Sequence, residues 1–185
     1  HFAGRTQLAR AVMANHFKLL AIKDEYEVAR LHAHSGFLAS VGDQFEGDFK
    51  LVFNLAPPLL ARRDPATGEP RKMEFGAWIV PAFKLLSRMR FVRGTALDVF
   101  GYTRERRAER QLLADYESHV DKALAALASA RDTARYDAAV ALLSLPERIR
   151  GYGHVRERSA AALKAREAEL LAALTRRVIP LKMAA

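Results

Sequence analysis

The sequence predicts a mainly α-helical fold: a single helical domain over residues 1–185 that carries one small antiparallel β-hairpin. Apolar residues recur at spacings of three and four along most of the chain, which is the period of an amphipathic helix. One stretch departs from this period, because Phe49, Leu51, Phe53 and Leu55 alternate with other residues as in a half-buried strand. Half of the residues are apolar, which suffices for one ordinary domain with its own core.

The elements before the hairpin are predicted to be helices. A first helix over residues 2–20 turns one apolar stripe inward, and shorter helices follow over residues 23–31 and 37–45. The inward residues of the first helix are Leu8, Val12, Phe17 and Leu20.

The hairpin and a long arm span residues 48–78. The second strand lies around Met73 and Phe75, and the connection over residues 56–72 is much longer than an ordinary hairpin loop. Connections of this length are usually functional or disordered. The length and the arginines of the connection suggest a contact site.

The longest helix is predicted after the hairpin. Pro81 suits the first turn of a helix over residues 82–90, and Thr103 caps the long helix, which runs to about residue 128. Trp78 and Tyr102 lie among apolar neighbours and are predicted to belong to the core. The inward stripe of the long helix consists of Leu113, Tyr116, Val120, Leu124 and Leu127.

Three further helices complete the predicted fold. One covers residues 137–143, and the next is a short helix that Ser144 opens with the order of a capping box and Gly151 closes. The last helix is continuous over residues 155–175.

The chain is strongly basic, with a formal net charge of +9. Residues 84–110 contain eight Lys or Arg against three Asp or Glu, and residues 146–166 contain six against two. These surpluses of five and four account for the whole net charge, so the positive charge is localised. A localised basic surface favours an anionic partner such as nucleic acid, a phosphorylated ligand or an acidic protein.

Several classes of active site are excluded or disfavoured. The chain has no cysteine, which excludes disulfides, thiolate nucleophiles and cysteine ligands for zinc or iron–sulfur clusters. His32 and His34 would face different sides of a helix, and we interpret Glu46 and Asp48 as turn residues. No glycine-rich phosphate loop and no zinc-protease motif is present, so the sequence offers no catalytic or cofactor-binding residues and no metal site.

Clusters of arginine give the best candidates for contact with an anion or a partner protein. Glycines near one cluster permit tight backbone conformations, and guanidinium groups present forked donors to phosphate or carboxylate. A solvated helix surface explains the same residues about equally well. The candidate residues are Arg62, Arg63, Arg106, Arg107, Arg110, Arg148, Arg150, His154, Arg156 and Arg158.

Four blocks of sequence carry a family resemblance. They are KDEYEVARLH over residues 23–32, the whole stretch 45–78, RGTALDVFGYTRERRAER over 93–110 and LPERIRGYGHVRER over 145–158. Together they resemble the C-terminal domain of the large fused bacterial indolepyruvate ferredoxin oxidoreductases. One departure is Val99, where that family is expected to have proline.

The resemblance implies a parent enzyme that converts an aryl 2-oxo acid and coenzyme A into acyl-CoA, carbon dioxide and reduced ferredoxin. It implies thiamine diphosphate and 4Fe–4S clusters, which in that family belong to domains upstream of this one. We therefore expect an accessory domain that is inactive alone and contains no cofactor. Its expected partners are the upstream catalytic domains, with ferredoxin or the phosphates of coenzyme A at the basic surface, in a parent that is a homo-oligomer. The resemblance also implies that the connection over residues 56–72 is a docking arm shaped by a neighbouring domain.

A free-standing nucleic-acid-binding module is the alternative, and the charge alone suggests it. The sequence carries no recognisable nucleic-acid-binding motif, and few aromatic residues lie among the arginines. Because the apolar runs are short and no signal-peptide pattern is present, we expect a cytoplasmic piece of a larger protein without a membrane partner.

Overall fold

A computed structural model describes residues 4–57, 60–62, 64–65, 70–129, 132–151 and 153–176, with only the backbone of residues 153 and 154. The chain divides into two compact units. Unit 1 comprises residues 1–21 and 108–185, and unit 2 comprises residues 22–107. Each unit has its own hydrophobic core. That all 185 residues behave as a single domain stays a prediction.

The predicted fold class is confirmed, because the described residues are mainly helical and include a two-stranded antiparallel sheet. The helices are α1 (Gln7–Leu20), α2 (Glu25–His34), α3 (Phe37–Gly42), α4 (Val80–Arg88), α5 (Arg104–Ser129), α6 (Thr133–Leu143), α7 (Gly153–Ala161) and α8 (Lys164–Thr175). The strands are β1 (Val52–Leu55) and β2 (Met73–Gly76). Short 3-10 turns cover Ala77–Ile79, Met89–Val92, Val99–Tyr102 and Leu145–Arg148. No helix within the described ranges is both long enough and apolar enough to cross a membrane.

The core of unit 1 is built from leucines and alanines. Leu19, Leu142 and Leu174 are fully buried, and Ala123 is 0% exposed, so its methyl group permits close packing of the neighbouring helices. The Tyr116 hydroxyl donates to Leu143 O at 3.1 Å, and Ala11 O lies 3.3 Å from it. Burial raises the pKa of Tyr116 to about 12, and the nearby negative charge of Glu147 adds to the effect.

The core of unit 2 is smaller and aromatic. Phe53 of β1 pairs with Phe75 of β2 across the antiparallel register, and Phe83 of α4 packs against them. The His32 ring stacks on Phe83 at 5.2 Å between centroids and meets Phe53 edge-on at 5.3 Å. The predicted hairpin is therefore confirmed, and its inward aromatic residues hold α2 and α4 together.

Two buried carboxylates hold the loops of unit 2. Asp98 is 5% exposed and accepts hydrogen bonds from the Tyr26 hydroxyl at 3.1 Å, Gly94 N at 2.9 Å and Gly101 N at 3.1 Å. Asp24 caps the N-terminus of α2 by accepting from Glu27 N at 2.8 Å. Hydrogen bonds to a charged carboxylate are stronger than hydrogen bonds between neutral groups, so these two side chains stabilise the backbone around them.

The inward face of α1 differs from the prediction. Phe17 and Leu20 are 73% and 53% exposed, whereas Ala11, Asn15 and Leu19 are buried. The spacing of four from Ala11 to Asn15 to Leu19 defines the true buried stripe. The apolar pattern missed it because its central residue is polar, and Asn15 Nδ2 satisfies itself by donating to Ala11 O at 2.9 Å.

Two aromatic residues predicted to lie in the core are exposed. Trp78 is 70% and Tyr102 is 63% exposed. Trp78 lies in the turn before α4, and Phe83 takes the inward position on that helix. Tyr102 ends a 3-10 turn whose buried residue is Gly101, and its hydroxyl donates to Ala96 O at 3.0 Å. In the stripe of α5, Leu124 is likewise 54% exposed, because the buried position beside it is Ala123.

Two predictions near the C-terminus are wrong. Ser144 opens no capping box, because it ends α6 by donating its backbone N–H to Val140 O at 3.0 Å. The last helix is not continuous, because α7 and α8 are separated by a turn in which Leu163 N donates to Ala160 O at 3.1 Å. The break orients α8 so that Leu170 and Leu174 reach the core.

Candidate anion-binding surface

A cationic surface forms in unit 1 where the turn Leu145–Arg148 lies against α1. We define it by Lys18, Arg148, Arg150 and Arg156. Lys18 Nζ donates to Pro146 O at 2.7 Å and to Glu147 O at 3.2 Å, so its ammonium group binds backbone carbonyls of this short turn.

The backbone of the following loop is fixed by one hydroxyl and one glycine. Ser159 Oγ accepts from Arg150 N at 3.1 Å and donates to Arg148 O at 3.1 Å. Gly151 has a φ of 80°, and a Cβ there would lie 2.5 Å from Val155 Cγ1. The side chains of Arg148 and Arg150 are exposed, so two forked donors project from a loop whose backbone Ser159 holds.

The charges on this surface repel one another. Burial lowers the pKa of Lys18, and the positive charges of Arg150 and Arg156 lower it further, while Glu147 acts in the opposite direction. Like charges this close favour any anion that neutralises them. The arrangement can bind a phosphate or a carboxylate.

Arg156 adds positive charge to the surface, but its side chain is largely buried and offers few exposed hydrogen-bond donors. Its side chain is 14% exposed and lies near the 12% exposed side chain of Glu109, with Nη1 3.6 Å from Oε1. The buried Nε of Arg156 makes no hydrogen bond within the described part of the chain. Because Glu109 and Arg156 are far apart in sequence, this pairing differs from the local i, i+4 pattern expected for the arginine-rich start of α5.

The other candidate residues do not join this cluster as a set. Arg158 is exposed on α7, and Arg110 and Arg107 are exposed on α5. Arg106 is mostly buried in unit 2, where its Nε lies 3.5 Å from Glu25 Oε2 and its Nη2 donates to Lys23 O at 3.2 Å. Arg106 is therefore held by its own unit rather than presented to a partner.

The arm provides one described candidate. Arg62 is exposed, and its carbonyl accepts from Arg71 N at 2.8 Å, which continues pairing between the two sides of the arm beyond the sheet. Arg71 Nε lies 3.7 Å from Asp64 Oδ2. Arg63 and the side chain of His154 lie outside the described residues.

Sequence reasoning missed Lys18. The missing information is a contact with Pro146, which is 128 positions away along the chain. Reasoning also missed a polar cluster on α5 and α8, where Lys164 Nζ lies 3.0 Å from Glu167 Oε1 and 3.8 Å from Asp115 Oδ2. Asp115 and His119 are four residues apart on α5, and Lys164 and Glu167 are three residues apart on α8. These spacings could have indicated two helix faces with complementary charge.

This polar cluster borders an apolar groove in unit 1 lined in part by Leu19, Leu142 and Ile149. His119 Nε2 lies 3.9 Å from Glu167 Oε1, which exceeds hydrogen-bond distance. Burial lowers the pKa of His119, and Glu167 opposes the effect. Within the described ranges, no group of three or more His, Asp or Glu side chains could hold a metal ion.

The histidine pair also lacks a shared site. His32 lies among aromatic rings, whereas His34 Nε2 lies 2.9 Å from Ser87 Oγ. The two rings have different environments, although both contact side chains of α4.

The fold and surface together define a mainly helical chain with a cationic loop. The chain belongs to DUF6537, a family of unknown function, whose model matches residues 1–169. No curated protein and no solved structure gives a significant match.

Proposed function

We propose that this chain is a non-catalytic accessory domain of an indolepyruvate ferredoxin oxidoreductase in the cytoplasm, and that it docks an anionic partner of that enzyme. The family resemblance in the sequence supports the identity of the parent enzyme. The observation that carries the docking role is the cationic surface, where Arg148 and Arg150 project from a loop fixed by Ser159.

The proposed partners are acidic ferredoxin and the phosphates of coenzyme A. Both carry negative charge, which complements the arginines of the cationic surface. Thiamine diphosphate and the 4Fe–4S clusters are proposed to lie in the upstream catalytic domains and to perform the decarboxylation and electron transfer there. In this proposal the present chain supplies the surface that binds the anionic partner.

The test reverses charge within the parent enzyme. We expect Arg148→Glu with Arg150→Glu to raise the apparent KM for ferredoxin or for coenzyme A roughly three- to tenfold at low salt, because exposed charges contribute modestly. The KM that changes identifies the partner. Arg10→Glu with Lys50→Glu is the matched control, because both residues are exposed, lie outside the cationic surface and change the net charge equally.

Two outcomes contradict the proposal. Unchanged turnover and unchanged KM values for both partners remove the docking role. Decarboxylation of an aryl 2-oxo acid by the isolated chain, supplied with coenzyme A and ferredoxin, removes the non-catalytic role.

The nucleic-acid alternative has its own readout. Tight binding of a fluorescent single-stranded oligonucleotide, weakened steeply by salt and lost on Arg148→Glu with Arg150→Glu, would favour that alternative.

A further inference from the structure

Unit 2 exposes a continuous apolar stripe along α4 and the turn before it. We define the stripe by Trp78, Ala82, Leu85 and Met89, whose spacings of four, three and four place them on one face of a helical segment. Trp78, Leu85 and Met89 are 70%, 63% and 38% exposed. Single exposed apolar residues are ordinary, but a contiguous exposed face marks an interaction site.

The helix cannot turn this stripe inward. Its opposite side carries Phe83 and Ser87, which are 7% and 5% exposed. Phe83 packs in the aromatic core, and Ser87 Oγ lies 2.9 Å from His34 Nε2. The core therefore fixes the rotation of α4 and leaves the stripe in water.

Trp78 is held in position although it is exposed. Its ring lies 5.8 Å from the Phe75 ring between centroids, and a Cβ at Gly76 would approach Trp78 Cδ1 to 3.2 Å. The indole therefore rests against the backbone of Gly76. A large aromatic side chain that is ordered before binding is typical of an interface hot spot.

A basic row borders one side of the stripe. Lys84 and Arg88 are exposed at a spacing of four and lie on the same flank of α4. Neither side chain forms an ion pair with any described residue. The surface thus combines an apolar centre with a positive edge that the described residues leave uncompensated.

We propose that this stripe is the docking face for an acidic protein partner, which presents apolar side chains bordered by Asp or Glu. Charge complementarity with Lys84 and Arg88 favours this occupant. A second copy in an antiparallel two-fold pairing would oppose the two basic rows, which is unfavourable. A membrane needs a larger apolar face than one short helix provides, and single-stranded nucleic acid favours several aromatic platforms.

This docking face does not depend on the proposed function of the cationic surface, because it lies on different residues and in the other unit. The sole tryptophan of the chain, Trp78, reports directly on whether the stripe is covered. The probe is a synthetic amphipathic helical peptide with a leucine stripe bordered by glutamates. In two matched peptides, glutamines or lysines replace the glutamates.

We expect the glutamate peptide to shift Trp78 emission to shorter wavelength and to reduce its quenching by acrylamide. The glutamine peptide should bind roughly tenfold more weakly, and the lysine peptide should not bind measurably. Leu85→Glu should abolish binding, whereas Leu97→Glu should preserve it, because Leu97 is 76% exposed in the same unit but off the stripe.

A charge swap gives the decisive result. Lys84→Glu with Arg88→Glu should reverse the preference, so that the lysine peptide binds and the glutamate peptide does not. Arg148→Glu with Arg150→Glu should leave peptide binding unchanged, which separates this proposal from the cationic surface. Circular dichroism of each variant verifies the fold.

Four results overturn the proposal. They are no binding of the glutamate peptide, equal binding of all three peptides, preferential binding of anionic vesicles or single-stranded DNA at Trp78, and a concentration-dependent dimer that Leu85→Glu dissociates.

Discussion

Unit 1 and unit 2 differ in how they hold themselves together and in what they leave exposed. Unit 1 packs leucines and alanines between helices around the hydroxyl of Tyr116. Unit 2 has a smaller aromatic core and relies on Asp98 to tie its loops. Unit 2 exposes the α4 stripe, and unit 1 exposes a charged loop together with Met13, Phe17 and Leu20 of α1. Each core therefore leaves apolar residues of one helix in water, and unit 1 adds a charged loop.

The aromatic core of unit 2 gives the largest expected effect. We expect Phe83→Ala to lower the free energy of unfolding by about 3–5 kcal/mol, because it removes a ring packed on His32 and Phe53 and leaves a cavity. Amide hydrogen exchange measures the loss in each unit separately. Phe91→Ala, at a residue 78% exposed, should cost within about 0.5 kcal/mol. Equal losses from both variants would show that the aromatic cluster is not a core.

The buried carboxylate of unit 2 gives the next effect. Asp98→Ala should cost about 3 kcal/mol, because Tyr26, Gly94 and Gly101 lose an acceptor in a buried place. Chemical denaturation measures the cost, and Asp48→Ala at an exposed position is the control.

A second readout isolates the hydrogen bond of Asp98. Burial, together with the hydrogen bond and the negative charge of Asp98, raises the pKa of Tyr26 to about 12. We therefore expect Asp98→Ala to lower the pKa of Tyr26 in a phenolate absorbance titration, with Tyr116 as the internal reference. An unchanged pKa for Tyr26 would contradict the contact.

Two partly buried histidines, one in each unit, give the smallest effect. Burial lowers the pKa of both His119 and His32 below the ordinary 6.5. As the pH falls, these histidines therefore bind protons in the unfolded chain before they do so in the folded chain. The free energy of unfolding consequently decreases below pH 6.5 and becomes constant below the folded-state pKa values. The slope is at most about 1.4 kcal/mol per pH unit for each histidine.

The environments of the two histidines differ. Aromatic rings surround His32, whereas Glu167 and Asp115 raise the pKa of His119 and Lys122 and Lys164 lower it. Urea denaturation from about pH 7 to about pH 5 measures the slope, and His119→Gln should reduce it in unit 1 while His32→Gln reduces it in unit 2. A slope unchanged by both variants would assign the acid sensitivity to other groups.

Much of the fold follows from local sequence. Thr103 caps α5 as predicted, with its Oγ1 accepting from Arg106 N at 3.3 Å, and the alternation at Phe53 and Leu55 locates β1. The errors occur where a residue's environment depends on distant parts of the chain. Trp78 and Leu20 are apolar, but each is more than half exposed within the described structure.

The candidate site was only partly predictable for the same reason. The charge count identified Arg148 and Arg150, because a cluster of arginines near glycines can be recognised in the sequence. It could not reveal that Ser159 fixes their loop or that Lys18 joins them, because these contacts link residues on different helices. Arg106 and Arg156 resembled free cations in sequence, yet each lies beside a carboxylate.

The sequence by itself determined the helical class, the hairpin and the localisation of positive charge, because periodicity and composition act through neighbours along the chain. Only the tertiary structure decided which apolar residues stay in water and which arginines are paired. Burial and ion pairing depend on where residues distant in sequence meet in space: Lys18 binds the carbonyl of Pro146, 128 positions away, and Arg106 lies beside Glu25.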